Sequence, residues 1–432
     1  MIRFNLKNHY NVRCVKCGEV SGVDVDEISD LIEMIHDTNG IKYLIMQTIL
    51  QYQPLTIEEI VRRTMVSRPT VLEVIKELQE NNYIIKEGQV KSTGGRPADL
   101  ILINAEACYA IGVDLEFAIH TARLAVTNAA RKIVGSKEIH FEDDADAEMI
   151  MKSLIDEIDS MVRQTGISMD QLAGIGLGLP GNVDEPNGIS IHIERIRNWD
   201  DIHVRDILEE KFHVPVYIKN DVHLLAEAER EKYMSSDVQD FLYIGLRSGI
   251  GSAIFYHGHA LDGRQGNAGF IGHTTVNPEG PLCSCGRHGC LDAFASEIAM
   301  NKEYKARCIK AGTYNAEEER HRTVLDFIDK AEKGEEISCQ ILKQSAFYIG
   351  IAVANMIKTL EVTTVIIGGY PQIKESEFIK EIKETARQYM MRGYENEIDI
   401  RVGSLKQEEY PLGACCHVLS NIFEKPKLSL KV

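Results

Sequence analysis

Ala110-Ile111-Gly112-Val113-Asp114-Leu115, with Ile119 to Val126 close behind it, reads as a strand and its hairpin partner. A polar helix over 147–165 follows, then Gly174-Ile175-Gly176-Leu177-Gly178-Leu179-Pro180-Gly181, an apolar strand entering a turn. Val214 to Asn220-Asp221 is another strand, ending on two polar residues, with a helix predicted over 224–232. The pattern then restarts. Phe241-Leu242-Tyr243-Ile244-Gly245-Leu246, a glycine-rich turn and Gly251 to Tyr256 repeat the strand–turn–strand opening, which predicts two related α/β lobes with a cleft between them. A long helix over 337–359 and the strand Thr364-Val365-Ile366-Ile367, running into Gly368-Gly369, belong to the second lobe. The charged stretch 302–336 reads as a surface excursion.

Ahead of this region, residues 38–85 read as three short helices. Ile41, Leu44, Ile45 and Ile49 recur at helical spacing up to Gln53-Pro54. Thr56 with Glu59 forms a capping box, and Ser67 is an N-cap candidate before Arg68-Pro69-Thr70. Tyr83 to Lys91 reads as strand, glycine turn and strand, which completes the order of a winged helix-turn-helix. A small helical bundle without a ligand is the plain alternative. Ser67, Arg68 and Thr70 favour DNA, because they put hydroxyls and a guanidinium at the helix end that meets base edges and phosphates. After the hairpin, Gly94-Gly95-Arg96-Pro97 is thin and extended. Gly95 and Arg96 then suit a narrow A·T-rich minor groove, where the rival reading is an interdomain linker. The expected domains are an extension over 1–37, the winged helix over 38–104, a first lobe over 105–222 with a returning helix at 410–425, and a second lobe over 223–409.

The chain has 432 residues and a net charge of −17. That charge is unevenly spread: 1–37 carries −3, 38–104 carries +1 and 105–432 carries −15. The acidic total argues against a general nucleic-acid coat protein, while the near-neutral middle segment does not repel a polyanion. The sequence has no signal-peptide pattern and no continuous apolar run of membrane-spanning length, so a cytoplasmic protein with no membrane partner is expected. Ten cysteines in a chain this long do not make a disulfide scaffold.

Three of them cluster. Cys283-Ser284-Cys285-Gly286-Arg287-His288-Gly289-Cys290 offers three thiols on a backbone loosened by two glycines, and His273 lies ten positions upstream. Together these form a Cys3His set for a structural Zn2+, closed to substrate, with His288 as the rival fourth ligand. Cys14 and Cys17 form half of a second such pattern with no matching pair nearby, so they read as ordinary cysteines.

With these motifs in place the chain resembles the ROK family, which contains sugar-responsive repressors of the xylose and N-acetylglucosamine type together with sugar kinases. The likeness runs from about residue 38 to about residue 425. It rests on Gly94-Gly95-Arg96-Pro97, Pro180-Gly181-Asn182-Val183-Asp184, Asn220-Asp221, Gly249-Ile250-Gly251, Gly272-His273, the cysteine run and Gly368-Gly369. It implies an α/β protein with a winged helix-turn-helix followed by two ribonuclease-H-like lobes of the actin/hexokinase type, with a sugar in the cleft and zinc beside it. Kinases of the family carry Asp-x-Gly-Gly-Thr after the first strand. Here the segment is Asp114-Leu115-Glu116-Phe117-Ala118, which puts a carboxylate and a ring where phosphate should lie.

Asn220, Asp221 and His273 match the family's sugar-binding positions, with Asp221 at the place of the general base. His223 and Asp292 stand where Asn and Glu are usual, and Phe270 replaces a carboxylate. The resemblance therefore implies a regulator and not an enzyme, most simply a repressor of carbohydrate genes. Its partners would be a roughly palindromic, A·T-rich operator and a sugar or sugar phosphate, and its assembly a homodimer or tetramer. A kinase carrying a DNA-binding module is the alternative.

Overall fold

A computed structural model describes residues 12–13, 20–21, 38–90, 97–116, 120–193, 196–234, 238–315, 321–394 and 396–421. The chain divides into two compact units, residues 1–107 with 420–432, and residues 108–419.

In the first unit, helices Thr38–Tyr52, Ile57–Thr64 and Arg68–Glu80 pack around Ile45, Ile49, Ile60, Val71, Ile75 and Leu78. Local chemistry sets their starts. The Thr56 hydroxyl accepts from the Glu59 amide while the Glu59 carboxylate accepts from the Thr56 amide, and the Ser67 hydroxyl caps Thr70. The hairpin differs from expectation. Residues 84–90 form one strand, which pairs antiparallel with Ala98–Ile103 and has an irregular register near Gly88 (φ +79°). Gly88 is thus a bulge inside a strand and not the hairpin turn. The pairing is directed by Ile84, Ile101 and Ile103, which all point into the core. The partner strand therefore begins after Gly95 and Arg96 in the chain, where the sequence reading put the whole hairpin before them; residues 91–96 lie outside the described residues.

The second unit repeats one topology twice. Its first sheet runs Val216–Asn220, Leu172–Leu179, Tyr109–Glu116, Thr121–Asn128, Ile133–His140, with the first three strands parallel and the others antiparallel. The second sheet runs Asp399–Val402, Thr364–Gly368, Phe241–Leu246, Ile250–Tyr256, His259–Ala260, with the same alternation. This is the ribonuclease-H-like order in both lobes. Central strands such as Phe241–Leu246 are buried throughout, as expected where both faces are covered. The last helix, Pro411–Asn421, lies directly on the first sheet: a Cβ at Gly112 would sit 2.2 Å from the Pro411 carbonyl oxygen, and one at Gly176 2.5 Å from that of Ala414.

Two expectations need correction. The stretch 302–336 is not an excursion, since helices Glu297–Ala311 and Val324–Glu332 bury Tyr304, Cys308, Val324 and Phe327 in the second lobe. Charged outer faces hide their apolar stripes in a linear reading. The helix expected over 224–232 spans Asp221–Tyr233, because the Asn220 side chain caps it by accepting from the Val222 amide at 3.1 Å. Helix Glu336–Leu360 is long and apolar enough to cross a membrane by composition, yet it buries Ile341, Ile349, Val353 and Ile357 inside the second lobe, as a core helix does.

Candidate functional site

Asn220, Asp221, His273 and Asp292 line one cleft of about 220 Å³ between the lobes, together with Arg247 and Phe270. Each is placed by a local feature. Asn220 ends a parallel strand; its amide nitrogen donates to the Gly181 carbonyl at 3.2 Å while its oxygen caps the next helix. Asp221 is then the first residue of that helix. The Asp292 carboxylate accepts from the Ile250 amide at 2.9 Å, which ties the Gly249–Gly251 turn to the helix that follows the cysteines. His223 borders the same cleft but is 2% exposed, and its Nε2 donates to the Ala268 carbonyl at 2.7 Å. It secures the loop over 261–270. Phe270, by contrast, is 43% exposed.

At the end of the strand Tyr109–Glu116 lies a buried ion cluster. The two terminal nitrogens of Arg247 donate to the two oxygens of Asp114 at 2.9 and 2.8 Å; one of them also lies 2.7 Å from Glu116 and the other 3.4 Å from Asp221. Arg123 donates to Glu116 at 2.8 Å and reaches Glu138 at 2.8 Å through Nε. The ring of Tyr410 lies 4.9 Å from the Arg247 guanidinium. Burial by itself would raise the Glu116 carboxyl, but Arg247 and then Arg123 overcome it and hold the group down at about 2. Asp221 goes the other way: burial, reinforced by Asp114 and Glu116 against the pull of Arg247, lifts it to about 7. A phosphate entering this end would meet carboxylates whose guanidinium partners are already committed.

The cysteine cluster lies on the same side as Phe270. Cys283 Sγ is 3.6 Å from His273 Nδ1, Cys285 Sγ is 3.6 Å from Cys290 Sγ, and the four ligand atoms all lie within 4.8 Å of one another. A tetrahedral ion with Zn–S bonds of about 2.3 Å needs edges of about 3.8 Å, so the four residues fit one. Glycine makes the wrap possible: Gly289 has φ +76°, and a Cβ there would lie 1.7 Å from the Asn277 oxygen. Burial first, then Cys285 and Cys283, push the Cys290 thiol up to about 12, a penalty that a divalent cation would remove. His288, the rival ligand, instead donates through Nδ1 to the Gly280 carbonyl at 3.1 Å. Cys14 and Cys17 lie outside the described residues.

In the first unit, Ser67 and Thr70 bond each other through their hydroxyls at 2.7 Å, and Arg68 pairs with Glu58 on the surface. These three stand together at one helix start. The Arg247 clamp was missed by sequence reading, although two acids in a buried apolar strand, Asp114 and Glu116, already call for cations.

The sequence profile of the ROK family matches residues 111–420. The chain belongs to the ROK family. A relative named xylose repressor, from Caldicellulosiruptor bescii, is 27% identical over 390 residues, covering 89% of this chain and 97% of that protein. A glucokinase from Halalkalibacterium halodurans is 29% identical over 313 residues, covering 70% and 92%. Among solved structures, a ROK family transcriptional regulator described as a homolog of E. coli MLC superposes with a TM-score of 0.76 at 21% identity, over 90% of this chain and 97% of that one. Relatives named as a repressor and as a glucokinase thus both match this chain, so the likeness alone does not choose between those activities.

Proposed function

We propose that this ROK protein is a sugar-responsive, DNA-binding transcriptional regulator of the repressor type and that it does not phosphorylate sugars. The observation that carries this is the Arg247–Asp114–Glu116 cluster at the strand end where a family kinase would hold phosphate, in a chain that also has a winged-helix unit. The relative named xylose repressor, which matches 89% of the chain, supports the same reading. Ser67, Arg68, Thr70, Gly95 and Arg96 contact a roughly palindromic, A·T-rich operator, with two copies related by a two-fold axis. The pairing of strand Ile84–Val90 with Ala98–Ile103, between which Arg96 falls in the chain, supports a groove role for Arg96 over a linker role. Asn220, Asp221, His273 and Asp292 receive the sugar, while His223 holds the loop beside it. His273, Cys283, Cys285 and Cys290 hold a structural Zn2+ that stiffens this loop and supplies no open coordination position.

A ligand releases DNA only through different affinities for the bound and free states, so the test is linkage. Operator affinity at fixed salt is measured with and without a panel of sugars and sugar phosphates. A sugar that binds yet leaves operator affinity unchanged refutes the inducer role. The raised Asp221, poised as a general base would be, and the glucokinase relative favour a kinase. Phosphate transfer from ATP to any hexose by the pure protein would establish that reading instead.

A further inference from the structure

Helix Arg68–Glu80 has two faces of different character. Val71, Val74, Ile75 and Leu78 are buried. Along the other face Arg68, Leu72 and Lys76 follow one another four residues apart, and all are exposed. Leu72 is 42% exposed and takes no part in the buried stripe. Just before the helix Met65 is 82% exposed; it ends helix Ile57–Thr64 in a left-handed conformation (φ +58°) that directs the chain into the next helix. Two large apolar side chains thus stand in water at the turn and first turns of this helix. The same two helices expose the cations Arg62, Arg63, Arg68 and Lys76 and the acids Glu58, Glu73 and Glu80; Arg68 pairs with Glu58, Lys76 lies 3.7 Å from Glu80 and Arg63 stacks over the Tyr52 ring.

Cations on the same helices as exposed apolar side chains fit a polyanion that carries apolar groups between its phosphates. Duplex DNA has such a group in the thymine C5-methyl, displayed in the major groove. We propose that Leu72 and Met65 read thymine methyl groups in the operator's major groove. Glu73, next to Leu72 in the chain, is suited to accept from a cytosine amino group, while the cations bind phosphates. This rests on the DNA-binding reading above and adds the class of base that the module selects.

The test uses the full-length protein and the duplex it enriches from a random oligonucleotide pool. Thymines are replaced by uracil one at a time, which deletes only the methyl group. Wild type is expected to lose about fourfold in affinity at one or two thymines per half-site, the worth of one buried methyl. Leu72→Ala and Met65→Ala should each bind the thymine and uracil duplexes equally at the corresponding position. Both side chains are exposed, so folding should be retained, and each variant checks the other. A flat uracil scan, or a loss that persists unchanged in both variants, overturns the methyl readout while leaving DNA binding intact. Unchanged DNA affinity with an altered oligomeric state makes this face a protein contact and also overturns it. If the pool yields no enriched duplex, the DNA-binding reading falls as well.

Discussion

Arg247 grips Asp114 with both terminal nitrogens, at 2.9 and 2.8 Å, and so joins the end of a strand in the second sheet to a strand in the first. Both side chains are at most 5% exposed. A buried pair of this kind contributes little over an apolar substitute, but removing one partner strands the other charge.

Arg247→Met should therefore destabilise the protein by about 3–5 kcal/mol, because Asp114 and Glu116 lose their shared cation. Adding Asp114→Asn should recover part of that loss. Urea unfolding of the two single variants and the double variant measures the coupling; strictly additive effects would refute it.

Asp221 titrates near 7 in the folded protein against an ordinary 3.8. The folded state therefore holds an extra proton between those values, and the contribution of Asp221 to stability falls as pH rises through that window. Asp221→Asn removes the dependence. Its melting temperature relative to wild type should climb from about pH 4 and level off above about pH 7. A gap that narrows with rising pH contradicts the assignment. Glu116 has the opposite sign: held near 2, it stabilises fully above its ordinary value of 4.5 and loses that contribution progressively as pH falls from there through about 2.

Cys285→Ser removes one corner of the cysteine cluster. Metal analysis should show loss of bound zinc, and the melting temperature should drop, as it should for wild type treated with a chelator. Equal metal content in variant and wild type would exclude Cys285 as a ligand.

Arg96→Ala should weaken binding to an A·T-rich operator about tenfold, on the scale of one good groove contact. A G·C-rich duplex should show a smaller change, because its minor groove is wider and less negative. Equal losses on both would reduce Arg96 to a phosphate contact.

Asn220→Ala should cost about 1 kcal/mol through the lost cap of helix Asp221–Tyr233. Chemical unfolding of the folded variant reads this directly.

Much of the architecture is legible along the chain because it depends on neighbours. The capping box of Thr56 and Glu59, the Ser67 cap and the strand-into-glycine turns are set by hydrogen bonds and backbone angles within a few residues. Three of the four cluster residues lie between Cys283 and Cys290, so the sequence pattern shows them together and points to His273 as the fourth; the fold brings His273 to the thiols and leaves His288 on the Gly280 carbonyl. The helices between 297 and 332 escaped notice because their exposed faces are charged and only packing reveals the apolar stripe.

The sequence by itself determined the order of elements, two repeated α/β halves, the helical module ahead of them and the thiol cluster. Each is written in local periodicity or close spacing. Only the tertiary structure decided that Gly88 is a bulge and that strand Ile84–Val90 pairs with Ala98–Ile103, since strand register depends on which isoleucines reach a common core. It also decided that Arg247 meets Asp114 across 133 residues of chain. Such a pairing exists because two sheets pack with their strand ends together, and no local pattern records it.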